Sequence, residues 1–326
     1  MFPNAPEPFI DLSTGINPLP YPLPQLAAEL FTRLPDRASV QRLATAAAQA
    51  YGAPSADHVV PAPGTQILLP KVAMLAAPGR AAILDTTYAE HRRAAALAGH
   101  DTTQVSDPAQ LKDADLAIVV NPNNPDGRIV AKGVLLNIAS DLRSRGGILV
   151  VDESFADVAP AGISLAGEVE HGNIVVLRSF GKFFGLAGLR LGFALAAPDL
   201  VQRLDAMLGP WAVSGPAIAI GEQALADEAW KRSTLACLAK AARRLDSLLA
   251  ASGLEVLGGT SLYRLTRSGN GPNSAQDLFS HLGRAGILVR RFTENPAWLR
   301  WGLPAGEAEW LRLSTALSGA PAKGTK

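Results

Sequence analysis

Cysteine is almost absent. Cys237 is the single one in 326 residues, which excludes an internal disulfide and fits a reducing compartment. It lies in an Ala/Leu-rich helical stretch, where a lone cysteine is expected as a small buried residue. Charge of one sign is missing too. Thirty Lys and Arg face 29 Asp and Glu, for a formal net charge of +1. Acid and base are mixed evenly along the chain, so neither nucleic acid nor a membrane surface is an expected partner. Nowhere do eighteen or more apolar residues run without a charge, Pro or polar break, and no spanning helix is expected. The opening residues, MFPNAPEPFIDLSTG, carry no basic segment leading into an apolar run, so no signal peptide is expected. No internal repeat and no metal site is read. These absences leave a soluble cytoplasmic protein, and any phosphate it recognises is a small anion rather than a polymer.

With 48% hydrophobic residues the chain has ample material for a core, and its length suggests about two domains. Short β-rich runs alternate with helical stretches: Ala81–Asp85, Leu116–Asn121, Gly147–Glu153, Asn173–Leu177 and Leu191–Ala196. They are nearly continuous hydrophobic runs, as in strands covered on both faces of a mostly parallel sheet. A helix is expected over Ala131–Gly146, with Gly146 as its C-cap. The pattern is α/β. The expected organisation is an N-terminal arm over residues 1–33 and a doubly wound large domain over 34–205. A linking helix and smaller α+β domain follow over 206–326. The prolines at 18, 20, 22 and 24 make the arm extended. A long helical region runs over Pro216–Ser252, followed by GLEVLGG, SLYRLTR, a helix at Ala275–Ala285, ILVRRF and a last helix. The terminal APAKGTK is expected to be frayed.

Three segments carry chemistry. SFGKFFGLAGLR (Ser179–Arg190) follows a strand-like run, so Lys182 is expected where a strand ends, and ligands of open α/β sheets collect there. A lone lysine is more often a solvated surface residue. Here Phe180, Phe183, Phe184 and Leu186 surround it with apolar groups, favouring the neutral amine that attacks an aldehyde. Ser179 and Arg190 can hold a phosphate by a hydroxyl bond and a charge-assisted fork. Pyridoxal 5'-phosphate (PLP) carries both aldehyde and phosphate. In NPNNPDG (Asn121–Gly127), which reads equally as a plain turn, Asn124 can donate its amide to a ring oxygen. Asp152 ends ILVVDE. It is a helix cap, a partner for a nearby basic group, or a carboxylate that keeps a pyridine nitrogen protonated. Glu153 beside it is given no role.

Together, NPxNPDG, the strand ending in Asp152, the Ser179/Lys182/Arg190 segment and a late LRWG resemble the fold-type I PLP enzymes, the class I and II aminotransferases. The resemblance spans nearly the whole chain. It implies Lys182 as the Schiff-base lysine, Asp152 as partner of the pyridine nitrogen and Asn124 as partner of the ring hydroxyl. Ser179 and Arg190 become phosphate ligands. PGTQ (Pro63–Gln66) is similar to the family's first phosphate loop, with Gly64, Thr65 and Gln66 opening a helix whose N-terminus favours an anion. Pro70 implies that this helix begins late or kinks. Tyr88 matches the aromatic that stacks on the ring, although it reads equally as a packed tyrosine. A homodimer is expected, because sites in this family lie at subunit interfaces.

DLSTGINPLPYP (Asp11–Pro22) with SFGKFFGLAGLRLGF narrows the resemblance to the cobalamin-pathway L-threonine-O-3-phosphate decarboxylases. They convert threonine phosphate to (R)-1-aminopropan-2-yl phosphate and carbon dioxide. This substrate carries a carboxylate and a phosphate and so requires two cationic sites. The resemblance assigns Arg300 to the carboxylate and Arg290 to the phosphate, with Gly15 and Asn17 closing over the substrate. Arg291 is expected in a surface salt bridge. Two departures lean away from transamination. The family's tyrosine three residues after the aspartate is Phe155, and the RYP segment of histidinol-phosphate enzymes reads Arg33-Leu34-Pro35. A histidinol-phosphate-type aminotransferase is the alternative, and a catalytically silent binding protein a third reading.

Overall fold

The structure is a computed structural model and describes residues 2–269 and 274–319. The chain divides into two compact units. One holds Pro20–Asn124 and Arg128–Lys231. The other holds the residues up to Leu19, Pro125–Gly127 and those from Arg232 onward.

In the larger unit seven strands form one sheet, in the order Val59–Ala62, Gly192–Leu195, Ile174–Ser179, Ile148–Asp152, Leu116–Val120, Arg80–Leu84, Asp101–Val105. Gly192–Leu195 runs antiparallel to both neighbours, and the remaining pairs are parallel. Every residue of LAIVV and ILVVD is buried, so both faces of these central strands are covered, as a parallel sheet requires. Leu68, Leu69 and Val72 of the helix Thr65–Ala73 and Leu200 and Leu204 of the helix Pro198–Leu208 share one core with Val150, Val175 and Leu177. The two edge strands lie outside the runs that the sequence marks as strands. DTTQV is largely exposed, and VVPA contains Pro61, both of which an edge position tolerates.

Several helices differ in detail from expectation. Lys132–Arg143 is capped at Ser144 rather than Gly146. Gly146 lies beyond it at φ 75° and lets the Gly147 amide return to the Leu142 carbonyl at 2.8 Å. The helix at Thr65–Ala73 begins at Thr65 itself, with Pro70 inside it. Lacking an N–H, Pro70 leaves the Gln66 carbonyl without the usual i+4 donor. The region 216–252 is two helices, Gly215–Ala226 and Glu228–Ala251, split at Asp227. That carboxylate accepts from the Trp230 amide at 2.9 Å and from the Tyr21 hydroxyl at 3.2 Å. Cys237 is exposed, not buried. Thr234, Leu238, Ala242 and Leu245 form the covered stripe of its helix, and Cys237 stands one residue, about 100°, off it.

The smaller unit has an antiparallel sheet ordered Arg290–Arg291, Trp298–Gly302, Tyr263–Arg267, Glu255–Thr260, and a short parallel pair, Ile10–Asp11 with Ile287–Leu288. Its centre is Trp301 and Tyr263, both fully buried, with the indole N–H donating to Thr266 Oγ1 at 2.8 Å. Gly127, from the Asn/Pro loop, packs against Gly259 of this unit at φ 75°. No helix among the described residues is long and apolar enough to cross a membrane.

Gly127 is the place where a single methyl group does most harm. A Cβ there would meet the Gly259 carbonyl oxygen, and positive φ adds about 1 kcal/mol of strain. Gly127→Ala is expected to lower the urea midpoint of unfolding by more than the same change at Gly133. That position faces open space, and the comparison by circular dichroism checks the expectation.

Candidate active site

The Asp152 side chain is tightly held in the larger unit. It ends a buried strand and is itself buried. Oδ1 accepts from the Ser154 amide at 2.9 Å and from the Ser154 hydroxyl at 2.5 Å. Oδ2 lies 2.8 Å from His91 Nε2. Burial alone pushes the carboxyl up. The hydrogen bond and charge of His91, then the bonds from Ser154, outweigh it and hold the group below its ordinary value.

His91 belongs to the helix Glu90–Leu97, and the sequence reading does not single it out. Its signal was its place three residues after Tyr88, the spacing that brings side chains together on a helical turn. The Tyr88 ring meets His91 edge-on at 6.1 Å, and its hydroxyl donates to Gln66 Oε1 at 3.2 Å. Gln66 in turn donates to Glu90 at 3.1 Å. The expected ring-stacking tyrosine thus joins the expected phosphate loop to the partner of Asp152.

Gly64, Thr65, Ser179 and Arg190 also come together. Gly64 has φ 84° and heads the helix Thr65–Ala73 with no side-chain cap. A Cβ on it would lie 2.6 Å from Arg190 Nη2, and one on Gly192 would lie 2.7 Å from the Thr65 amide nitrogen. Gly192 is the register partner of Ser179. Arg190 is itself left-handed, at φ 54° and ψ 61°, a conformation that costs a non-glycine residue about 1–3 kcal/mol. An uncapped helix start, a hydroxyl and a guanidinium pressed onto a bare glycine fit a phosphate group.

Lys182 lies in the single turn Phe180–Phe183 at the C-terminal end of the Ser179 strand. It is half-buried, with Nζ 5.8 Å from the Phe155 ring centroid. Phe180 and Phe184 stack at 4.3 Å beside it, and Trp230 stacks on Phe184 at 5.6 Å. Asn124 is half-buried in its loop. Its neighbours are scaffold. Asn121 exchanges two hydrogen bonds with the Val130 backbone, and Asn123 bonds the Thr86 carbonyl and the Thr87 hydroxyl. An Asp152 carboxylate held ionised fits a pyridine nitrogen kept protonated, and the Gly64–Arg190 cradle fits the phosphate of the same cofactor.

In the smaller unit Arg300 is buried in Trp298–Gly302. It donates to the Ser13 carbonyl at 2.7 Å, and its guanidinium lies 5.4 Å from the Tyr263 ring centroid. Arg290 is exposed and directly opposite Arg300 across the sheet, so both side chains leave by one face. The arm runs alongside, with the Gly302 amide donating to the Leu12 carbonyl at 2.7 Å. Gly15 and Asn17 are buried, and Asn17 Oδ1 accepts from the Leu19 amide at 2.9 Å. Arg291 departs from its expected ion pair. It donates to the Gln276 amide oxygen and lies 4.1 Å over the Phe279 ring.

Known proteins resemble this chain along nearly its whole length. The chain is 42% identical over 314 residues to a threonine-phosphate decarboxylase of Pseudomonas aeruginosa, covering 95% of this chain and 92% of the relative. It is 42% identical over 318 residues to one of a Sinorhizobium species, covering 97% and 93%. A crystal structure of histidinol-phosphate aminotransferase from Sinorhizobium meliloti, in complex with pyridoxal-5'-phosphate, superposes with a TM-score of 0.81. At 22% identity, over 94% of this chain and 89% of that one, it shares the fold. The family described as aminotransferase class I and II matches residues 8–317, and the chain belongs to it.

Proposed function

We propose that this chain is a PLP-dependent carboxy-lyase converting L-threonine O-3-phosphate to (R)-1-aminopropan-2-yl phosphate and carbon dioxide in cobalamin synthesis. The observation that carries the reading is the 42% identity to two threonine-phosphate decarboxylases along nearly the whole chain. A cytoplasmic location and a homodimer belong to the same reading.

Bound PLP supplies an electron sink for the pair left on Cα when the carboxylate departs. The protein's work is to bind, orient and move protons. Thr65 and Gln66 amides beside Gly64, the Ser179 hydroxyl and the Arg190 fork hold the cofactor phosphate. Tyr88 would cover its ring, and Asn124 would donate to the ring oxygen. Asp152, kept ionised by His91 and Ser154, holds a proton on the ring nitrogen. Lys182 would hold the cofactor through its amine and would be the group to return a proton to Cα. Arg300 takes the substrate carboxylate and Arg290 its phosphate, while Gly15 and Asn17 close over it. Phe155, in place of a tyrosine, offers no hydroxyl to hydrogen-bond the ring oxygen, which leans away from transamination.

Supplying threonine phosphate is expected to release carbon dioxide and the amino-alcohol phosphate in equal amounts. Absence of both, with 2-oxoglutarate-dependent turnover of histidinol phosphate, would overturn the reading in favour of an aminotransferase. Lys182→Ala is expected to abolish turnover and the borohydride-reducible absorbance band while circular dichroism stays unchanged. Asp152→Asn should lower kcat by about 100- to 1000-fold, equivalent to about 3–4 kcal/mol of lost electrostatic stabilisation. Because the Asp152 pKa is depressed in the folded state, its stabilisation is complete above about pH 4 and is lost as pH falls further. The acid limb of the wild-type profile is therefore expected to arise from another group, and a pH–rate series checks this.

A further inference from the structure

Directly behind the cofactor residues lies a buried ion network that the chemistry above does not use. Glu153 is fully buried and Arg178 nearly so. Arg178 Nη1 donates to Glu153 Oε2 at 3.0 Å, and Nη2 donates to Asp157 Oδ1 at 2.7 Å. Glu153 is completed by the Ser164 hydroxyl at 2.6 Å and the Leu165 amide at 2.7 Å. Tyr51 lays its ring 4.3 Å from the guanidinium. Its buried hydroxyl has no hydrogen-bond partner among the described residues, so the ring is what this site uses.

Position in the strands gives the network its meaning. Asp152 and Glu153 are consecutive, as are Arg178 and Ser179, and consecutive residues of a strand point to opposite faces. Asp152 and Ser179 therefore face one way while Glu153 and Arg178 pair on the other. The Arg178 fork also spans both ends of the turn Glu153–Asp157, which the Ala156 amide closes onto the Glu153 carbonyl at 3.0 Å. Within that turn lie Ser154, which bonds Asp152, and Phe155, whose ring sits below Lys182. We infer that Arg178 is a positioning residue for the cofactor. By clamping Glu153 to Asp157 it fixes Ser154 under Asp152 and Phe155 under Lys182.

This inference rests on the PLP reading. Arg178→Met would leave Glu153 as an uncompensated buried charge and endanger the fold. The test therefore uses Arg178→Lys, which keeps the charge but loses the fork, and Asp157→Asn, which releases one arm. PLP is titrated into wild type and both variants, following absorbance, thermal midpoint, kcat and KM. In the variants PLP is expected to bind about tenfold more weakly, as when groups that orient site ligands are removed elsewhere. The absorbance maximum of the bound cofactor is expected to shift, and kcat at saturating PLP to fall with KM for threonine phosphate unchanged. A lower thermal midpoint with wild-type PLP affinity, spectrum and kcat would overturn the proposal and leave Arg178 a framework residue. Wild type that takes up no PLP would instead sink the cofactor reading, and this inference with it.

Discussion

A charged carboxylate at the end of a fully buried strand is a severe constraint, since removing an ion from water costs several kcal/mol unless it is well compensated. Asp152 meets it with three donors, the Ser154 amide and hydroxyl and His91. A carboxylate offers about four acceptor positions. Three are occupied by the protein, and the fourth suits a cationic ring N–H. Much else follows from His91 having to be there. Its helix starts beside the sheet, and Tyr88 just ahead of it bonds Gln66, so the candidate ring cover and the candidate phosphate loop are joined.

The phosphate end is built differently. Its candidate residues combine an uncapped helix start with the Ser179 hydroxyl and the Arg190 fork. The helix Thr65–Ala73 starts without a side-chain cap, so its first amides have no intrahelical partner and its dipole favours an anion. Arg190 tolerates a left-handed backbone so that its fork lies against Gly64, where no Cβ intrudes. Strain concentrated at such a point is consistent with a site the surrounding fold over-determines.

The placement of Lys182, Asp152 and Asn124 near strand ends was legible in the sequence because each stands at the end of, or within four residues after, a hydrophobic run that reads as a strand, and strand ends are where such a sheet presents its groups. His91 was not, because its bond to Asp152 joins residues 61 apart and no local pattern records that distance. Arg178 and Glu153 were hidden for another reason. A run buried on both faces has no apolar/polar alternation to show which residues look forward and which back. The exposure of Cys237 turned on one residue of helical phase, and Arg291 found an amide and a ring rather than an acid. The mostly parallel sheet was readable, whereas its polar edge strand Asp101–Val105 was not, since a largely exposed strand needs no hydrophobic run.

The proposed cofactor residues alone do not choose a reaction, because one pyridine partner and one lysine would serve loss of either a proton or a carboxylate. The choice lies in which Cα bond is held out of the ring plane, and that depends on the groups gripping the substrate. Arg290 and Arg300 face each other across an antiparallel pair, where Cβ atoms stand about 4.5–5.5 Å apart. Two arginines rooted on one face of neighbouring strands would suit a small molecule with two anionic groups on neighbouring carbons. Threonine phosphate has that form, with a carboxylate on Cα and a phosphate on the adjoining Cβ. Histidinol phosphate offers a phosphate and an imidazole but no carboxylate, and an aminotransferase using it meets one only in its second substrate. On the proposed assignment, the paired arginines would serve both anionic groups of the decarboxylase substrate in a single binding event.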